Sequence, residues 1–255
     1  MFGFKRRRRE KVASKEFPQE WLDIIGRNVP YYEQLSGDSR KELKKHILIF
    51  LSEKQIVGCR GLEITDEIRV TIAAQACMLL LGRQTDYYPH LKTIYVYPQA
   101  YVAKARRMVE GGIVLEGDEI RLGESWRRGA VVLSWDDVQR GSADIHDGHN
   151  VVFHEFAHQI DSSSGKGDNS EVLKKRSAYI TWARVLHESF EEHCQAVDNN
   201  ERTLLSSYGA TNPAEFFAVA TENFFEQSKK LKCKHPDLYE QLKAFYHQDP
   251  AESAV

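Results

Sequence analysis

The sequence predicts an α+β fold, mainly helical with a small mixed sheet. Three observations carry that prediction. Apolar residues recur at helical spacing over long stretches on both sides of the chain's middle. Short β-branched and aromatic runs are confined to the segment between Thr93 and Trp135. Helices and strands are therefore segregated rather than alternating, which favours α+β over a doubly wound sheet. With 255 residues the chain can bury a substantial core, and residues 16–255 read as one domain. The formal net charge of −2 excludes a chain that binds polyanions through its overall charge.

Residues 1–15 contain Lys5–Arg9, KRRRR, and read as a basic tail, solvated and mobile. The run lacks aromatic interleaving, so no direct nucleic-acid contact is expected of it. No apolar stretch follows it as in a secretory signal, and none elsewhere is long enough to span a membrane. Gln19–Ile25 and Ser39–Leu51 come next as helices; in the second, Leu43, Ile47, Phe50 and Leu51 recur at helical spacing. Thr65–Leu81 is a longer helix, opened by Thr65 with Asp66 and Glu67 in its first turn. Strands are expected at Thr93–Tyr97, at Ile113–Glu116 and Glu119–Leu122 about a turn at Gly117-Asp118, and at Ala130–Trp135 on the edge of the sheet. Gly148–Asp161 returns to helix and ends in the loop signature Ser162–Gly165. Glu171–Ala196, Asn212–Gln227 and Pro236–His247 complete the chain as helices, with His187 and His193 on the polar surface of the first. Cys59, Cys77, Cys194 and Cys233 show no short paired spacing, which without an export signal indicates reduced thiols and a cytoplasmic location.

The chemistry is concentrated in Val151–Asp161, VVFHEFAHQID. His154 and His158 lie four residues apart, so on a helix both imidazoles point the same way and can reach one metal ion. Glu155, beside the first histidine, can reach a water at that ion. The flanking Val151, Val152, Phe153, Phe156, Ala157 and Ile160 describe a helix sunk in a core, where two histidines and a glutamate need partners. A catalytic zinc takes three protein ligands and leaves the fourth position open. The third is sought in Tyr208–Phe225, where Asn212 and Pro213 cap and begin a helix. Glu215 then stands at the third helical position, where it can be a ligand or a cap folded back on Asn212. Glu222, seven residues on, shares its face. One of the two is expected on the metal, Glu215 ahead of Glu222, and the other can brace a histidine. Asp161 can orient His158 or make a helix-end hydrogen bond, and His146 and His149 lie in the polar loop just before the motif.

HEFAH followed at a distance by Tyr208, Pro213 and Glu215 resembles the zinc peptidases whose third ligand is a glutamate, and the tyrosine seven residues before that glutamate resembles the catalytic domain of anthrax lethal factor. A wider set of features resembles the Mlc titration factor A family of bacterial glucose-regulated metallopeptidases. That set comprises Tyr95–Pro98, Gly123–Trp126, Val131–Trp135, HEFAHQID, NPAEFFAV and Phe245–Pro250. The resemblance implies a zincin-like core of the gluzincin type with zinc on His154, His158 and Glu215. It also implies Glu155 as general base and Tyr208 as a donor to the transition state. The activity it implies is aminopeptidase-like, on a peptide substrate, together with binding of an Mlc-type transcriptional repressor of glucose-uptake genes. The other reading is a non-catalytic zinc protein that sequesters a transcription regulator. A purely structural zinc site is usually closed by four ligands, and only three are evident here.

Overall fold

The computed structural model describes residues 2–99, 101–109, 113–121, 123–126, 129–163 and 176–253. Four helices come first: α1 Phe2–Ala13, α2 Gln19–Asn28, α3 Tyr31–Gln34 and α4 Gly37–Glu53. Strand β1, Gln55–Gly58, leads to α5, Asp66–Met78, and then to β2, Thr93–Tyr97. β3 Tyr101–Val109, β4 Ile113–Arg121, β5 Gly123–Trp126 and β6 Ala130–Ser134 follow, the last running directly into α6, Trp135–Ala143. The remainder is helical: α7 Val151–Ser163, α8 Arg176–Asp198, a 3-10 turn at Ser207–Ala210, α9 Pro213–Glu226, α10 Ser228–Lys234, α11 Pro236–Tyr246 and α12 Pro250–Ser253. Mainly helical with a small mixed sheet is thus the architecture, in line with α+β.

Local chemistry explains where the helices begin. Thr65 accepts the Ile68 amide at the start of α5, Ser36 accepts the Ser39 amide at the start of α4, and Ser134 accepts the Asp137 amide at the start of α6. The sheet has the order β1-β2-β6-β5. β1, β2 and β6 are parallel, with Ile94 opposite Val131 and Val96 opposite Leu133, while β5 runs antiparallel to β6. Those four side chains are buried, and the sheet forms one wall of a core otherwise built by α4, α5, α7 and α9.

Three expectations are corrected here. Ala130–Trp135 is not an edge strand: β6 lies between β2 and β5, Trp135 starts a helix, and β5 forms the edge beside α7. The turn at Gly117-Asp118 is absent, because β4 passes straight through it with Gly117 opposite Ala105 in an antiparallel pair with β3. Lys5–Arg9, read from sequence as part of a tail, lies within the helix α1. Arg9 holds that helix down with a two-pronged bond to Glu53 at 2.7 and 2.8 Å and a bond to Asp86 at 2.7 Å, and its guanidinium lies over the Tyr87 ring. The expected loop at Ser162–Gly165 begins inside α7, and residues 164–175, with the start of the expected helix at Glu171, lie outside the described residues.

Candidate metal centre

α7 carries the histidines, and aromatic packing seats it. Phe153 meets Tyr31 and Phe225 with ring centroids 5.2 and 5.1 Å away, and Phe156 meets Tyr88 at 4.8 Å and Phe50 at 5.8 Å. The helix starts at Asn150, whose side-chain oxygen accepts the amides of Val152 and Phe153 at 3.1 and 3.0 Å. The same side chain donates to Gln75 on α5 at 2.9 Å, so the cap is also a tie to a second helix.

With Phe153 and Phe156 turned into the core, His154 and His158 point toward α9. Their Nε2 atoms are 3.2 Å apart, and one Glu215 oxygen lies 2.9 Å from the first and 3.2 Å from the second. Among the described residues this is the one group of three with metal-binding spacing. Zinc bonds of about 2.0–2.1 Å at tetrahedral angles would separate ligand atoms by about 3.3 Å, so the donors present fit that ion. Glu215 does not fold back as a cap; Asn212 caps α9 itself, accepting the Ala214 and Glu215 amides. The Glu215 side chain is left to reach across to α7.

Glu222 lies two turns further along α9. One of its oxygens accepts from His154 Nδ1 at 2.7 Å and the other from the Asn150 amide at 2.7 Å. A neutral ring with its proton on Nδ1 offers its lone pair at Nε2, the side that faces His158 and Glu215. Glu226, one more turn along, accepts the amides of Gly148 and His149 and the Tyr31 hydroxyl. Three glutamates of one helix thus hold the segment from Gly148 to His154 in register. Gly148 is required there: its φ is +84°, and a Cβ would meet Gln227 Nε2 at 2.7 Å.

The electrostatics suit a cation. Glu155, 3% exposed, together with Glu215 and Glu222 surrounds two imidazoles with three carboxylates. Burial by itself lowers the affinity of His154 for a proton, but hydrogen bonds to Glu215 and Glu222 outweigh it and push its pKa up to about 10. Burial likewise raises Glu215, and the two histidines overcome that and hold it at about 2. A divalent ion answers the same field without the proton.

Tyr208 sits in the 3-10 turn just before α9, 54% exposed, with its ring centroid 5.9 Å from that of His154. Asp161 lies near the end of α7, where partial desolvation of its carboxyl raises its pKa and the charge of His158 opposes this, but no direct hydrogen bond joins the two among the described residues. His146 and His149 are exposed, and their backbone amides bond Asp144 and Asp147; neither joins the cluster. His193, expected on the surface, is buried and bonds the Ser206 carbonyl. Sequence reasoning missed Gln75, Glu226 and Tyr31 as supports because each is separated from α7 by dozens of residues. Asn150 carried a signal, a capping residue just ahead of an apolar helix.

A family model for glucose-regulated metallo-peptidase M90 matches residues 4–247. An uncharacterized protein of Synechocystis sp. is 40% identical over 244 residues, covering 95% of this chain and 89% of its own length. Mlc titration factor A of Serratia proteamaculans is 29% identical over 233 residues, covering 91% of this chain and 87% of that one. The protein of the same name from Klebsiella pneumoniae strain 342 is 28% identical over 254 residues, with 99% and 94% covered.

Proposed function

The chain belongs to the glucose-regulated metallo-peptidase M90 family, and from that premise we propose that it is a zinc-dependent peptidase with aminopeptidase-like activity. The observation that carries this reading is the convergence of His154 Nε2, His158 Nε2 and a Glu215 oxygen within 3.2 Å of one another on two packed helices. Those three residues would hold the ion. Bound zinc would supply a Lewis acid for the substrate carbonyl and acidify a water. Glu155 takes the proton from the attacking water and passes it to the leaving amine, which needs a carboxylate adjacent to a ligand but not itself a ligand. Tyr208, flanking His154 and open to solvent, donates to the oxyanion as it forms. Glu222 keeps the proton of His154 on Nδ1. An extended peptide pairs with β5, the strand at the end of the sheet among the described residues and the one nearest α7.

A second activity is supported by the relatives named Mlc titration factor A: binding of an Mlc-type transcriptional repressor in the control of glucose-uptake genes. This partner role is compatible with catalysis and would remain if turnover were vestigial. No helix among the described residues is long and apolar enough to cross a membrane. Metal analysis paired with a peptidase screen on wild type and Glu155→Gln tests the reading. One zinc per chain with turnover lost in the variant supports an enzyme; zinc with no turnover in either leaves the binding role alone.

A further inference from the structure

We propose that His193 is a positioning residue that sets the placement of Tyr208 beside the metal centre. This rests on the peptidase reading for its catalytic consequence and on geometry alone for its structural one. The 3-10 turn Ser207–Ala210 that carries Tyr208 is short, and a single turn of 3-10 helix has little stability of its own. Its own bonds among the described residues are three: Ser206 Oγ accepts the Tyr208 amide at 3.3 Å, the Ser206 carbonyl accepts the Gly209 amide at 2.9 Å, and the Tyr208 carbonyl accepts the Thr211 amide at 3.1 Å.

α8 grips both ends of this turn with consecutive residues. At the front, His193 Nε2 donates to the Ser206 carbonyl at 3.0 Å. At the back, the Cys194 thiol faces the Ala210 carbonyl at 3.7 Å. A carbonyl only accepts, so His193 must carry its proton on Nε2. The ring is 6% exposed and lies against Phe216, the residue after Glu215, with centroids 5.9 Å apart. Gly209 makes the approach possible: a Cβ there would stand 3.3 Å from His193 Nε2. One imidazole therefore touches the turn bearing Tyr208 and the helix bearing Glu215 while touching no metal ligand. Tyr208 is carried by the backbone of this turn, and its ring stands beside that of His154, so a shift of the turn moves the ring relative to the histidine. Moving that backbone by about 1 Å would be enough to cost up to about 100-fold in rate.

The test is a double-mutant cycle between His193→Phe, which keeps a ring but removes the donor, and Tyr208→Phe. His193→Gln, whose amide nitrogen stands near the place of Nε2, is the rescue variant. With zinc-loaded full-length protein, His193→Phe should lower kcat about 10- to 100-fold with KM and zinc affinity unchanged. His193→Gln should recover most of the loss, and His193→Phe should add nothing in the Tyr208→Phe background. Full turnover in His193→Phe, or losses that multiply in the double variant, would overturn the proposal. Amide hydrogen exchange of Tyr208–Thr211 is read in parallel and does not depend on turnover. Exchange there should rise in His193→Phe, return in His193→Gln and stay constant in α7. If wild type has no peptidase activity, the enzyme reading fails by itself, and unchanged exchange in His193→Phe would sink the positioning role separately.

Discussion

Substituting Glu222 by Gln should weaken zinc binding without abolishing it, whereas Glu215→Ala should remove a ligand. Glu222 is 5% exposed and its two oxygens serve two donors at 2.7 Å each, His154 Nδ1 and the Asn150 amide. An amide has one acceptor oxygen, so Gln can satisfy only one of them and turns its NH2 toward the other. One charge-assisted hydrogen bond, worth about 1.5–3 kcal/mol, is lost. If the loss falls on His154, the ring is no longer held with its lone pair toward the metal. Changing such a support typically weakens metal affinity 10- to 100-fold, or about 1.4–2.8 kcal/mol, the same range as the lost bond. The assay is competition with a chromogenic chelator at constant pH on wild type, Glu222→Gln and Glu215→Ala. Glu215→Ala should fall outside that range, below the affinity of Glu222→Gln. If Glu222→Gln binds zinc as wild type does, or if Glu222→Gln loses the metal while Glu215→Ala retains it, the assignment of the two carboxylates is wrong.

Glu155→Gln should keep zinc and fold but lose turnover by about 10²- to 10⁴-fold on an amino-acid amide, because it removes a base and not a ligand; near-wild-type turnover would refute that role. Tyr208→Phe should leave zinc affinity and KM in place and lower kcat, since its hydroxyl is needed only as charge develops on the oxyanion; a raised KM at constant kcat would contradict this. Arg9→Met should cost about 2–3 kcal/mol in urea denaturation and open α1 to proteolysis, because the change breaks a largely buried pair with Glu53 and the bond to Asp86; equal protease resistance would count against the anchoring role. Lys54 bonds the carbonyls of Tyr88 and Leu91, and burial pushes its pKa from 10.5 down to about 8 against the attraction of Glu53. Its folded pKa lies below its unfolded one, so the buried ammonium costs stability below about pH 8, and that cost fades as pH rises toward 10.5. Wild type should therefore gain stability relative to Lys54→Met across that window, and parallel denaturation profiles would refute the shift.

By itself the sequence determined what depends on near neighbours along the chain. Helical spacing of four puts His154 and His158 on one face whatever surrounds them, and the apolar residues between turn that helix into a core. Asn212 with Pro213 begins α9, and Thr65 begins α5, because capping engages amides two or three residues away. Tertiary structure alone decided what depends on how elements cross. Glu215 and Glu222 occupy the same face of α9 and differ by two turns, about 10 Å along the axis. Only the way α9 lies across α7 brings the first to His154 Nε2 and the second to Nδ1. The strand pattern of Ala130–Ser134 is the same inside a sheet as at its edge, and pairing with both β2 and β5 places it inside. Lys5–Arg9 has the composition of a solvated run, and only Glu53 and Asp86, brought near by the fold, make Arg9 an anchor. His193 lies on a helix whose sequence is polar on most sides, and nothing local marks it as buried. Its partners, Ser206, Gly209 and Phe216, meet it only after α8 turns back along α9. Local geometry is set by bonds a few residues long, while the supports of the candidate metal centre come from residues whose proximity exists only once the helices have packed.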